Sequence, residues 1–283
     1  MNKVFLTAMA ACFAFSNSSS AFAESAPAKA ADVKPADNGG MIVEEEPIAT
    51  IVSEKADIEK RIPLINEMLG REPKNAKLFC ERGECYARLD DHAKAIEDYN
   101  QAIEINAGMQ EAHRLKGLSL AKLDKVAEAV SEYSEAIKIG PPSYELFVRR
   151  AAGNGLLGDH KSAIVDAKDA LKLKPDSVEG LILLANHEAA LGQLQDSLTN
   201  LNKVIELDMK KGEAFLLRGY VNKSLGKLKE SEADLKMAQD LGVKLPEIKE
   251  APPKEAAVVK DAAPVKNAAE VKDAAEKSAP ATK

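Results

Sequence analysis

The chain has 283 residues, 45% hydrophobic but only 4% aromatic, with no tryptophan and a formal net charge of −6. That length holds one or two domains, and the mild acidity leaves no broad basic field to attract nucleic acid. So few aromatics argue for a fold assembled from Ala, Leu and Ile rather than around an aromatic-rich core.

Residues 1–23 read as a signal peptide. Lys3 gives a positive start, Val4–Phe15 a short apolar run, and Ala21-Phe22-Ala23 a small-x-small cleavage site. A run of this length falls short of the roughly 20 residues a spanning helix needs. Export to the periplasm or beyond follows, with Glu24 as the new N-terminus; losing Lys3 takes the charge from −6 to −7. Lipid anchoring at Cys12 is disfavoured, because Met9 is a poor first residue for a lipobox and Phe13–Phe15 continue the apolar run.

Next comes 24–55, expected as a flexible leader rich in Ala, Pro, Gly and charge. Its last part, Val43–Lys55, contains Pro47 and many β-branched residues and is a weak helix at best. Ala56–Gly70 is helical in pattern and Pro73 closes it, so 56–75 is expected as a half-repeat cap helix.

From Ala76 the chain repeats itself every 34 residues. One column reads Gly83, Gly117, Ala151, Ala185, Gly219; another reads Ala95, Ala129, Ala163, Ser197, Ser231; a third reads Ala102, Ala136, Ala170, Val204, Ala238. Small residues recurring in one slot let another helix approach closely. Each unit holds two apolar-periodic segments separated at Asp90-Asp91, Asp124-Lys125, Gly158-Asp159, Gly192-Gln193 and Gly226-Lys227, where Gly or Asp suits a left-handed helix end. Each unit is therefore a helix–turn–helix pair.

This arrangement resembles the tetratricopeptide repeat family. The resemblance covers five in-phase units (76–109, 110–143, 144–177, 178–211, 212–245), although the tryptophan common near the start of family repeats is replaced by Phe79, His113, Phe147, Leu181 and Phe215. It implies an all-α fold, a right-handed α-solenoid of stacked helix pairs with disordered termini. An end should show where apolar columns turn polar. Ile96, Val130, Ile164 and Leu198 give way to Glu232, while Ile103, Ile137, Leu171 and Ile205 give way to Gln239.

The tail, 246–283, is mostly Ala, Lys, Glu, Pro and Val, with a six-residue unit recurring from Val259 to Glu276. Its valines would lie about 240° apart on a helix and form no stripe, so disorder is expected.

Nothing in the chain points to catalysis. Gly153-Asn154-Gly155-Leu156-Leu157-Gly158 matches a dinucleotide-binding string, but that reading needs a strand before it and a helix starting at it. The string falls within a first helix instead. His92, His113, His160 and His187 show no helical metal-pair spacing, and Cys80 and Cys85 would point about 140° apart on one helix, too far for a disulfide. No cofactor, no metal and no enzymatic activity are expected.

In the family, first helices line a concave face that holds peptides. Carrying those slots over gives Glu111, Arg114, Leu118, Val148, Ala152, Gly155, Ile182, Asn186, Leu216 and Tyr220 as partner-binding candidates. That face is charged at its N-terminal end and apolar from the third unit, and an exposed apolar strip marks a partner site. No unit carries the lysine–asparagine pair by which some members clamp a terminal carboxylate. The expectation is an exported scaffold or adaptor, monomeric, binding another protein or peptide, with Arg114 steering an acidic end. A structural subunit, assembly factor or chaperone of an envelope complex is the alternative.

Overall fold

The structure, a computed structural model, describes residues 48–141 and 143–245. Over these it has eleven α-helices: α1 (Ile48–Arg71), α2 (Ala76–Arg88), α3 (His92–Ile105), α4 (Gln110–Lys122), α5 (Val126–Ile139), α6 (Tyr144–Leu156), α7 (His160–Leu173), α8 (Val178–Ala190), α9 (Leu194–Leu207), α10 (Gly212–Ser224) and α11 (Leu228–Asp240). From α2 onward they pack as consecutive antiparallel pairs, each pair resting on the one before. No strand occurs among the described residues. The segments expected as signal peptide, first part of the leader and C-terminal tail lie outside them.

Short-range chemistry sets the helix ends. The side chain of Asn75 accepts from the amides of Lys77 and Leu78, Asp91 from Lys94, Asp159 from Ser162, and Ser177 from Gly180, each satisfying a first-turn donor. Within every pair the chain turns through one left-handed residue: Asp90 (φ 65°), Asp124 (60°), Gly158 (80°), Gly192 (78°) and Gly226 (76°). Asp tolerates that conformation better than most residues with a side chain, and Gly adopts it freely.

The small-residue columns explain how closely paired helices sit. A Cβ added at Gly83 would stand 2.7 Å from Tyr99 Cε1, and one at Gly117 would stand 2.6 Å from Tyr133 Cε1. Both rings are buried, at 0% and 1% exposure, so glycine is what lets α2 and α4 lie flat against a tyrosine. In the third pair Ala151 and Ala167 occupy the two matching slots, both at 0%. Ala95, Ala102, Ala136, Ala163 and Ala170 are equally buried.

The front of the array differs from expectation. α1 is one continuous helix of 24 residues, with Pro63 inside it. Ile48–Lys55, expected as the end of a leader and a weak helix at best, is the first part of that helix. The helix is anchored further along, where Ile58, Ile65 and Leu69 share a face and bury against Leu78 and Cys85. Pro63, which forfeits one backbone hydrogen bond, is exposed. At the other end Glu232 and Gln239 on α11 face solvent.

Candidate functional site

The ten candidate residues fall into two groups. In α4, Glu111 is exposed while Arg114 and Leu118 are half-buried. Arg114 donates to both Glu111 oxygens, from Nη2 at 2.6 Å and Nε at 2.8 Å, and its Nη1 reaches Glu145 Oε1 at 3.2 Å. Arg149 Nε donates to the same Glu145 oxygen at 2.8 Å. Four charges thus run as a ladder from α4 to α6, and the Arg114 hydrogen bonds hold the Glu111 carboxyl below its usual range. Arg114 is engaged on both sides, so a ligand acid would have to displace Glu111 or Glu145.

The second group is buried. Val148 is 4% exposed, Ala152 0%, Ile182 7%, Asn186 4%, and Leu216 and Tyr220 5% each; Gly155 is buried as well. The exposed apolar strip expected over the third to fifth units is therefore not open. Val148 packs with Phe147 and Ala170, and Ile182 sits in the largest core cluster with Leu181, Leu198 and Leu217. Small neighbours at Ala152, Ala185 and Ala189 let the helices close over these side chains. Asn186 Oδ1 has no hydrogen-bond partner there.

The glycine-rich string is consumed by packing. A Cβ on Gly153 would lie 2.5 Å from Val130 Cγ2, Asn154 Nδ2 donates to Asp166 Oδ2 at 3.2 Å, and Gly158 is the left-handed turn residue. His160 and His187 face each other, Nδ1 to Nδ1 at 3.3 Å. Among the described residues no group of three or more His, Cys, Asp or Glu side chains is placed to hold a metal. No described helix is long and apolar enough to cross a membrane.

Accessible space lies further toward the N-terminus. A cavity of about 290 Å³ opens where α2, α4 and α6 adjoin, lined by Glu84, Ala87, Arg88, Asp90, His92, Tyr99, Leu115, Leu118, Ser119, Lys122 and Arg149. Of the ten candidates only Leu118 lines it. Sequence reasoning passed over His92, Ser119 and Arg149 here. The usable signal was a column in which cations occur only in the first two units: Arg88 and Lys122, then Leu156, Ala190 and Ser224.

The tetratricopeptide repeat family model matches residues 76–108, which span α2 and α3. No curated protein matches the sequence. Among solved structures, the fold is similar to YrrB, described as a TPR protein with an unusual peptide-binding site (18% identity, 63% of this chain, 92% of that one, TM-score 0.59). It is also similar to MamA from Desulfovibrio magneticus RS-1 (18%, 59%, 94%, 0.56) and to PilW, a type IV pilus biogenesis factor (22%, 68%, 90%, 0.54). At such identities the likeness is one of fold. With one unit matched directly and the described helices packed as a solenoid of the same kind, the chain carries a tetratricopeptide repeat at residues 76–108 and shares the fold of the solved tetratricopeptide-repeat solenoids.

Proposed function

We propose that this protein is an exported, non-catalytic adaptor that holds a protein or peptide partner on the face lined by its first helices. The observation that carries this reading is the cavity between α2, α4 and α6, bordered by half-buried Leu118 and by cationic side chains at its rim. Here the array offers room, apolar surface and charge together, the mixture that ligand pockets combine. The solenoid is an interaction scaffold, and YrrB, of similar fold, is described as having a peptide-binding site. Export rests on the sequence of residues 1–23.

The test places charge where a partner would dock without touching the core. Leu118→Asp, on the full chain used as bait, is expected to lose partner capture from an envelope fraction while helical circular dichroism is unchanged. An unaltered set of captured proteins would remove this face from the account. Ile182 and Leu216 cannot serve as probes, because substitution at such buried positions perturbs folding first.

A structural subunit that stacks end to end is the second reading. It is favoured by apolar side chains on both terminal helices: Leu64 (60% exposed) and Met68 (48%) on α1, Leu228 (60%) and Met237 (44%) on α11. Sedimentation at micromolar concentration separates the two, a monomer supporting the adaptor and a stable oligomer the subunit.

A further inference from the structure

The lining of the 290 Å³ cavity carries three cations, Arg88, Lys122 and Arg149, against two acids, Glu84 and Asp90. Two of these five already have internal partners. Arg149 donates to Glu145, and Asp90 Oδ1 lies 3.2 Å from His92 Nε2. Arg88 and Lys122 form no salt bridge with any described residue, and both are exposed at the mouth. They end α2 and α4. The last-turn carbonyls of those helices are taken by following backbone amides: Leu89 N donates to Cys85 O, Asp91 N to Tyr86 O, Leu123 N to Ser119 O and Lys125 N to Leu120 O. The two side chains, rather than helix-end dipoles, therefore set the sign of the field at the opening.

Deeper in, Tyr99 lines the cavity from a side chain that is 0% exposed. Ser119 lies beside it, its hydroxyl 3.4 Å from His92 Nδ1. Burial drives the phenol pKa up, so the group remains a donor at every physiological pH. Leu115, Leu118 and Ala87 supply an apolar wall beside it.

We propose that this cavity is a subsite for a carboxylate on a short apolar stem, a glutamate side chain within a bound peptide. The stem lies against Leu115 and Leu118, and the carboxylate sits between Arg88 and Lys122 at the mouth. The proposal rests on the first-helix face being a peptide-binding surface. It differs from a terminal-carboxylate clamp in taking an internal side chain and in needing no lysine–asparagine pair. Glu84, exposed and outside any salt bridge among the described residues, opposes the ligand and tunes the site.

The experiment titrates the full, isotope-labelled chain with N-acetyl-glutamic acid α-amide and with its glutamine counterpart, reading backbone amide shifts. Saturable shifts are expected at Ala87, Ser119 and Lys122, with the acid binding about tenfold more tightly than the amide. Arg88→Gln and Lys122→Gln should each weaken the acid severalfold, and Glu84→Gln should strengthen it, all at exposed positions that leave the remaining spectrum unchanged. Absence of saturable shifts at these amides, or equal binding of the two probes, overturns the subsite. A chain that fails this test and still loses its partners on Leu118→Asp keeps the scaffold reading and loses only this refinement.

Discussion

Arg150 and Asp166, sixteen residues apart on α6 and α7, hold each other in a two-pronged clamp: Nη2 to Oδ1 at 2.6 Å and Nε to Oδ2 at 2.9 Å. The same clamp joins Arg82 to Asp98 and Arg218 to Asp234. Each arginine also reaches back, to Asn66 on the cap helix or to Ser134 or Asn202 on the preceding pair. These positions recur every 68 residues, not every 34. The intervening units use Lys116 with Glu132 or Asn200 with Glu188. By its polar contacts, then, the array is built from doublets of helix pairs.

Removing one side of the clamp should hurt more than removing both. The Asp166 side chain is 3% exposed, so Arg150→Met strands a charge that only Asn154 still contacts. A loss of about 3 kcal/mol is expected in urea unfolding. Arg150→Met combined with Asp166→Leu should recover more than half of it, because two apolar groups leave no uncompensated charge. A double variant no more stable than the single one would show that the clamp contributes more than charge pairing.

Glycine at position 117 is a steric requirement. Gly117→Ala brings a methyl to 2.6 Å from the buried Tyr133 ring, which has nowhere to move. The expected cost is about 2 kcal/mol, within the range for overpacked cores. Gly70→Ala is the control: nothing lies within 4 Å of its added Cβ, and it sits in α1. That change should stabilise by about 0.5 kcal/mol through helix propensity alone. Differential scanning calorimetry on both variants checks the contrast.

Both described cysteines should be inert. Cys80 and Cys85 are free and buried at 5% and 3% exposure. Burial pushes the Cys80 thiol up to about 12, and Cys85 upward as well. Thiolate is the reactive form, so a chain beginning at Glu24 should resist iodoacetamide at pH 8 and become doubly alkylated only on unfolding. Mass spectrometry after timed quenching reads this directly.

The fold was legible because backbone packing repeats strictly. Gly83 and Gly117 lie opposite tyrosines, and Asp90 through Gly226 mark each turn, so the small-residue and turn columns carry the geometry themselves. The cap was legible in its buried face, Ile58 to Leu69, but not in its length, since propensity undervalued Ile48–Lys55, which continues the same helix. The site was less legible. Val148, Ile182 and Leu216 are apolar whether a helix covers them or a partner does, and sequence alone does not distinguish the two. The doublet was written in Arg82, Arg150 and Arg218, but a search at a period of 34 averages it away.

The contact between His160 and His187 replaces, 68 residues on, the one between His92 and Ser119. Ala167 stands where Tyr99 stood, so the larger residue has moved from one helix to the other. His187 is 1% exposed, and burial, with His160 beside it, lowers its pKa from 6.5 to about 3; burial lowers that of His160 too. Both rings are therefore neutral in the folded protein at pH 7. A base with a depressed folded pKa contributes stability above its unfolded pKa and loses it as pH falls toward the folded value. Between pH 7.5 and 5, His187 alone should cost about 2 kcal/mol. Asp159, next to His160, opposes that lowering, and Glu188, whose carboxyl burial raises, works against the decline as it takes up its proton. His187→Ser should lower stability at pH 7.5 by opening a cavity and flatten the decline toward pH 5. Urea midpoints at the two pH values decide it, and an equally steep decline in the variant would place the acid sensitivity elsewhere.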